Sequence, residues 1–184
     1  PAWGYFSKPP LLAWLIAGTT GLCGAGEACI RAISPLFHAG TALVLCGVGQ
    51  RLISPAGGFW CAALYVLLPG VSVSALVAST DVPLLFFWAV ALYALVRLRD
   101  TPTLLWFALL GVAVGLGVLS KYAMVFFVVC LALWACWDKA GRAVLLTRGA
   151  AFAALIAGAL VAPNVLWNAA HAFVSVRHTA ANMN

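Results

Sequence analysis

Charge is scarce in this chain. Of 184 residues only four are acidic and ten are basic, 8% in all, against 65% hydrophobic residues and a mean hydropathy of +1.09. A soluble domain cannot cover its surface with so little charge, so most of this surface must face lipid. The net charge of +6 has no basic patch outside the loops, which excludes nucleic acid as a partner; retention of Lys and Arg on the cytoplasmic side accounts for the balance. CxxC pairs are absent, as is any His at zinc-finger spacing. Cys23, Cys29, Cys46, Cys61, Cys130 and Cys136 fall mostly inside apolar runs and are expected to be small buried or lipid-facing hydrophobes. No signal peptide, internal repeat or soluble domain is visible. The chain opens on Pro1 rather than Met and closes in a polar tail, so it reads as a piece of a longer protein.

Long apolar runs with charge at their ends are what the chain does have. A bilayer-spanning helix needs about 20 mostly apolar residues. Residues 32–50 meet this, with His38 the ionisable interruption, and residues 57–78 do likewise, with a kink expected at Pro69 and Gly70. Residues 82–96 open at Pro83, which suits a first helical turn, and end at Arg97 and Arg99. The run 103–137 would be on the order of 50 Å long as one helix, too long for a single crossing. It also carries Lys121 near its middle, where a lone charge is costly. Two short spans, 103–119 and 122–137, meeting at Ser120-Lys121-Tyr122 remove both difficulties. Residues 149–166 form the last span, Ala-rich and suited to close packing. The fold class is therefore an all-α polytopic membrane bundle of about six transmembrane helices.

Residues 9–23 are apolar over a stretch too short for a comfortable span, and an interfacial or re-entrant helix is expected, the interfacial one being adopted here. The chain then divides into an outer-loop and interfacial segment (1–31), transmembrane spans (32–166) and an outer loop (167–184). With 9–23 lying on the surface, Lys8, Glu27, Arg31, Asp81, Lys121, His171 and Arg177 share one side. Arg51, Arg97, Arg99, Lys139, Arg142 and Arg148 share the other, which the positive-inside rule makes cytoplasmic.

Four groups on the first side could carry chemistry. In GYFSKPPLLAWL, two prolines after Lys8 keep the backbone extended and present the lysine on a stiff turn beside Trp3, Tyr5 and Phe6. That describes a snorkelling lysine in an aromatic belt, and equally a cation placed to hold the phosphate of a lipid-linked substrate. In Ala78-Ser79-Thr80-Asp81-Val82-Pro83, Ser79, Thr80 or Asp81 fits a helix cap, and Asp81 fits equally a carboxylate that orients a sugar hydroxyl or a catalytic neighbour. Gly115 and Gly117 suit helix packing, whereas Lys121 at the turn between two short spans points to function. The fourth group is the tail, Pro163-Asn164-Val165-Leu166-Trp167-Asn168 with His171, Arg177 and His178; the two histidines stand seven apart and would share a face of one helix. A metal there would need a third ligand, for which Glu27 is the nearest carboxylate in the topology besides Asp81, so no metal site is assigned; a divalent metal is possible but not supported by the sequence. Arg177 is a candidate second phosphate or sugar contact.

Taken in order, GYFSKPPLLAWL, Gly26-Glu27-Ala28-Cys29-Ile30-Arg31, the run Ser79–Trp88 and Gly115–Tyr122 resemble the bacterial family-39 glycosyltransferases. These are relatives of protein O-mannosyltransferases and of the lipid A aminoarabinose transferase, and the resemblance runs from Gly4 to about Thr179. It implies a GT-C fold in the bacterial inner membrane, an active face on the periplasm, and a sugar moved from a polyprenyl-phosphate carrier to a lipid, glycan or protein acceptor without a nucleotide sugar. By similarity Lys8 stands near the donor phosphate, with Asp81 and Lys121 at the second and third outer-loop positions. The family's principal catalytic acid lies upstream of the GYF motif and so before residue 1, leaving Asp81 the candidate within this chain. In the aminoarabinose branch a glutamate precedes the lysine; Ser7 stands there in this sequence.

Such a transfer requires a carboxylate to deprotonate the acceptor, cations to stabilise the leaving polyprenyl phosphate, and a groove for the lipid. Lys8, Lys121 and Arg177 are the candidate cations. Tyr5, Glu27, Arg31, His171 and His178 are candidate substrate contacts. A secondary transporter would instead carry charge near the bilayer midplane, and a non-catalytic membrane subunit would not gather Lys8, Asp81 and Lys121. The charges here sit at one face of the spans, which favours surface chemistry on a lipid substrate.

Overall fold

The computed structural model describes residues 2–4 and 7–181; the side chains of residues 176 and 179–181 lie outside that description, as does all of Tyr5. The regular elements among these residues are helical. In chain order they are α1 (Leu11–Cys23), α2 (Glu27–Arg31), α3 (Ile33–Leu52), α4 (Pro55–Leu67), α5 (Pro69–Ser74), α6 (Asp81–Asp100), α7 (Leu104–Ser120), a 3-10 turn (Tyr122–Met124), α8 (Val125–Trp137), α9 (Lys139–Leu145), α10 (Arg148–Ala170) and α11 (Val174–Ala181). The stretches Glu27–Leu52, Asp81–Asp100 and Arg148–Ala170 are long and apolar enough to cross a membrane, while Leu11–Cys23, Pro55–Leu67, Leu104–Ser120 and Tyr122–Trp137 are shorter apolar helices. Large apolar side chains face outward along these helices, among them Leu43, Phe59, Trp60, Phe126 and Leu155. That surface suits lipid and not water. The chain is an all-α, multi-pass membrane bundle.

Its helices pack as a row. α4 lies on α3, α3 on α6, α6 on α7, and α7 on α10. The α7–α10 seam rests on glycine: a Cβ at Gly111 would stand 2.4 Å from the Ala153 carbonyl oxygen, and one at Gly115 would stand 2.9 Å from Leu160 Cδ1. Small residues let the two backbones approach where no hydrophobic effect drives helices together in lipid. Ala91, Ala94, Leu98, Phe107, Leu110, Ala113, Met124 and Phe127 form the core between α6, α7 and α8.

The expected division of 103–137 is present. Lys121 is extended (φ −157°, ψ 135°) and separates α7 from the 3-10 turn and α8. The break near Pro69 is sharper than a kink: α4 ends at Leu67, Leu68 is extended, and α5 restarts at Pro69 for six residues. Proline drives the residue before it out of the helical region, which is why Leu68 and not Pro69 carries the break. The tail also holds more helix than expected. α10 runs on to Ala170 and α11 follows, with Ala172 and Phe173 at positive φ turning the chain between them.

One expectation about cysteine is overturned. Cys23 and Cys29 form a disulfide, whereas Cys46, Cys61, Cys130 and Cys136 are free. The reason is local: α1 ends at Gly24, whose φ of +87° only glycine adopts readily, and the chain doubles back into α2. α1 itself has 13 residues, about 20 Å of helix against a hydrocarbon core of about 30 Å.

At the end of the row away from Asp81, cations and helix caps gather. Arg51 pairs with Asp100 at 3.4 Å, Arg97 lies 4.4 Å over the Trp106 ring, and Arg142 donates to the Ala135 and Cys136 carbonyls at 3.1 Å. Asp138 caps α9; hydrogen bonds from the Ala140 amide and the Trp134 indole hold its carboxyl below the usual carboxylate range.

Candidate active site

The opposite end of the row brings together the start of α6, the end of α7 and the opening strap of the chain. Lys121 Nζ stands 2.6 Å from Asp81 Oδ1, across forty positions of sequence. Ser79 donates its hydroxyl to Asp81 Oδ2 at 3.2 Å, and the Asp81 amide donates back to Ser79 Oγ at 3.3 Å. The Lys8 ammonium also acts on this carboxylate. Asp81 is not the cap of α6. Thr80 occupies that position without a side-chain cap bond, and Asp81 is the first residue of the helix itself. Its carboxylate is therefore committed to a lysine and a serine. The pair is open, with 44% of the Lys121 side chain and 52% of the Asp81 side chain accessible. An ammonium that is half exposed beside a carboxylate, with a second lysine close by, can accept an anionic group without leaving its partner.

Buried polar contacts hold these side chains in place. Ser34, fully buried on α3, donates to the Val77 carbonyl at 2.7 Å and so fixes the loop that leads into Asp81. His38 sits between Tyr65 and Ser74, with Nδ1 2.7 Å from the tyrosine hydroxyl and Nε2 3.0 Å from the serine hydroxyl. This cluster ties both halves of the broken α4–α5 segment to α3. It is a closed set of hydrogen bonds, in a span where an unpaired polar group would be costly.

Behind Lys121, the Tyr122 hydroxyl donates to Asn164 Oδ1 at 3.3 Å, and Asn168 Nδ2 donates to the Tyr122 oxygen at 3.4 Å. Asn164 Nδ2 donates to the Trp3 carbonyl at 2.8 Å, across 161 positions. Both asparagines lie in the tail motif 163–168 that the sequence singled out, but neither was given a role there. The available signal was two amides four apart, on one face of an otherwise apolar helix.

The other expected residues have contacts of their own. Glu27 and Arg31 pair with each other at 2.6 Å on one exposed helical turn, so neither is drawn to Asp81; an i,i+4 pair is the nearest partner each can reach. His171 and His178 do not share a helix face. His171 follows the end of α10 and His178 lies on α11, because the chain turns at residues 171–173. They do meet in space: with Arg177 they line one small cavity of about 370 Å³. His171 stacks on the Trp167 ring at 4.2 Å, and its Nδ1 lies 2.7 Å from the Trp167 carbonyl. Among the described residues no three His, Cys, Asp or Glu side chains are grouped to hold a metal. A larger cavity of about 760 Å³, lined by apolar side chains of α7, α8 and α10 with Arg148 at its rim, lies away from Asp81 and Lys121.

Comparison with known proteins follows the same residues. Residues 7–167 match the model of the dolichyl-phosphate-mannose-protein mannosyltransferase family. Over 177 residues the chain is 39% identical to the lipid A galacturonosyltransferase RgtD of Rhizobium johnstonii, an alignment covering 96% of this chain and 37% of that protein. No solved structure matches. The chain belongs to the dolichyl-phosphate-mannose-protein mannosyltransferase family, whose members are glycosyltransferases of GT-C type, and it spans little more than a third of the length of that curated relative.

Proposed function

We propose that this family member serves a membrane glycosyltransferase that moves a sugar from a polyprenyl-phosphate donor to an acceptor at the periplasmic face of the bacterial inner membrane. One observation carries the reading: Lys121 at 2.6 Å from Asp81, at the end of the bundle opposite Arg51, Arg97 and Arg142. The positive-inside rule assigns the second group to the cytoplasm and the first to the outside. The Cys23–Cys29 disulfide agrees, because such bonds persist in an oxidising compartment. On this reading residues 1–31 form an outer segment with α1 along the interface, 32–166 span the membrane, and 167–184 return to the outer face.

In the reaction the acceptor hydroxyl oxygen forms a bond to the anomeric carbon while the bond from that carbon to the phosphate oxygen breaks. The hydroxyl proton passes to a carboxylate, and the electron pair leaves with the polyprenyl phosphate. Lys8 and Lys121 meet the charge that develops on the leaving phosphate, and Arg177 is a third cation for phosphate or sugar. Asp81 holds the Lys121 ammonium toward the phosphate, and it is the candidate base within this chain for the acceptor proton. His171 and His178, with Arg177, form a second wall for polar substrate groups; Glu27 and Arg31 remain candidate contacts at the rim, and Tyr5 is a further candidate in the strap. The relative named as a lipid A galacturonosyltransferase suggests a uronic acid as donor sugar and a glycolipid as acceptor. An anionic sugar suits a site with this surplus of cations.

The test is transfer from a radiolabelled polyprenyl-phosphate sugar by the full-length protein in membranes. Lys8→Ala removes one charge-assisted phosphate contact, on the order of 2–4 kcal/mol of transition-state stabilisation, and so slows transfer roughly 30- to 1,000-fold. Lys8→Arg restores only part of it, because a planar fork replaces a point charge. Transfer at the wild-type rate in Lys8→Ala would sink the donor-site assignment.

A further inference from the structure

Asn164 and Asn168 are each 2% exposed, on a helix that is otherwise apolar. A buried amide in a membrane helix calls for specific partners; Asn168 Oδ1 has none among the described residues, whereas Asn164 is satisfied at both ends and its partners are informative. Its Nδ2 donates to the Trp3 carbonyl at 2.8 Å, and its Oδ1 accepts from the Tyr122 hydroxyl at 3.3 Å. Trp3 belongs to the strap that carries Lys8, and Tyr122 is the residue next to Lys121. One side chain on α10 thus grips the two segments that present the two lysines.

The strap is seated on both sides of that bond. Gly4 is buried against Trp167, and a Cβ there would stand 1.9 Å from Trp167 Cε3, so no other residue fits without moving the indole. The Trp3 ring meets Trp14 of α1 edge-on at 5.4 Å, and Trp14 Nε1 donates to the Ala2 carbonyl at 3.1 Å. Beyond Lys8, Pro9 and Pro10 are buried and lead into α1. Lys8 is therefore an exposed residue directly before a buried anchor at Pro9 and Pro10, with Gly4 a second buried anchor earlier in the chain. On the other side, Tyr122 receives a second bond from Asn168 Nδ2, and Asn168 also bonds to the Asn164 carbonyl. The network runs without interruption from Asn168 through Tyr122 and Asn164 to Trp3.

We propose that Asn164 is a positioning residue that sets the spacing between the Lys8 and Lys121 ammonium groups, acting through the Trp3 carbonyl and the Tyr122 hydroxyl. The inference rests on the phosphate-binding role given to those lysines above. A phosphate gripped by two cations needs them at one separation, and a shift of about 1 Å in such a pair costs on the order of 100-fold in rate. Asn164 touches no reacting atom on this account. Its effect falls on the donor, whose phosphate the lysines hold, and not on the acceptor.

The experiment uses the full-length protein with spin labels at positions 8 and 121, read by the distance distribution between them, alongside donor and acceptor KM in the unlabelled protein. Asn164→Leu keeps the branched outline and heavy-atom count of the side chain, at the cost of added bulk, and removes both hydrogen bonds. The expected result is a broadened distance distribution, a donor KM raised roughly tenfold or more, and an unchanged acceptor KM. Tyr122→Phe, which removes one hydroxyl, broadens the distribution less and serves if Asn164→Leu does not accumulate. Asn164→Leu added to Lys8→Ala should cost less than about threefold further, since a residue acting through Lys8 has little left to lose. A narrow, unshifted distribution in both variants overturns the proposal, as do equal rises in donor and acceptor KM. A broadened distribution together with wild-type transfer by Lys8→Ala would leave the spacing role standing and remove the phosphate-binding reading beneath it.

Discussion

Lys121→Met removes the ammonium that stands 2.6 Å from Asp81 Oδ1 while keeping the length and apolar stem of the side chain. At that separation and a water-like dielectric the Coulomb attraction is about 1.6 kcal/mol. The two side chains are 44% and 52% exposed; screening and the cost of ordering them reduce the net stabilisation to about 1 kcal/mol or less. A purely structural pair would therefore lower the melting temperature of the protein by a few degrees and leave transfer intact. A lysine that stabilises a leaving phosphate contributes on the order of 2–4 kcal/mol in the transition state instead, and its loss slows transfer roughly 30- to 1,000-fold. The two magnitudes are read by different instruments. Thermal unfolding in detergent reports the first, and transfer from a radiolabelled polyprenyl-phosphate sugar by the full-length protein reports the second. Asp81→Asn completes a cycle: if the carboxylate acts by orienting Lys121, the double variant is no slower than Lys121→Met alone. If Asp81 is also the base for the acceptor proton, the double variant is slower than either single one. Near-normal transfer by Lys121→Met, or a collapse of the folded protein that accounts for the lost transfer, would refute the reasoning.

Single cysteines placed at positions 81 and 142 of a cysteine-free protein should react with impermeant maleimide from opposite sides of the membrane; labelling of both from one side would reverse the proposed topology. Under denaturing, non-reducing conditions the wild-type chain should take up four maleimides, at Cys46, Cys61, Cys130 and Cys136, and all six after reduction. Six before reduction would remove the Cys23–Cys29 bond from the account. Gly111→Leu forces side-chain atoms into the Ala153 carbonyl and should destabilise the bundle by roughly 1–3 kcal/mol. Gly158→Leu, on the same helix pair but with nothing within 4 Å of its added Cβ, should be far milder. Equal effects in melting temperature would mean that the glycine seam does not set the α7–α10 contact.

The membrane class, the all-α fold and the break in the run 103–137 followed from the sequence alone, because each depends on quantities that are local along the chain. The length of an apolar run decides whether a helix can cross, and a lysine in the middle of 103–137 decides that the run must break there; Lys121 is indeed the extended residue between α7 and the 3-10 turn. The resemblance carried by GYFSKPPLLAWL and the motifs after it reached the family for the same reason, since ordered short motifs are also local. Which residues meet was another matter. Lys121 reaches Asp81 across forty positions, Asn164 reaches the Trp3 carbonyl across 161, and His38 finds Tyr65 and Ser74 on two separate helices. Partners of this kind depend on how far each helix is rotated about its own axis. In a water-soluble bundle the apolar stripe announces that rotation. Here the helices are apolar on nearly every side, lipid and neighbouring helices draw the same residues, and the rotation is decided by glycine and alanine contacts such as Gly111 on Ala153. Cys23 and Cys29 show the same limit at short range: six positions of sequence gave no hint of pairing until the turn at Gly24 brought them together.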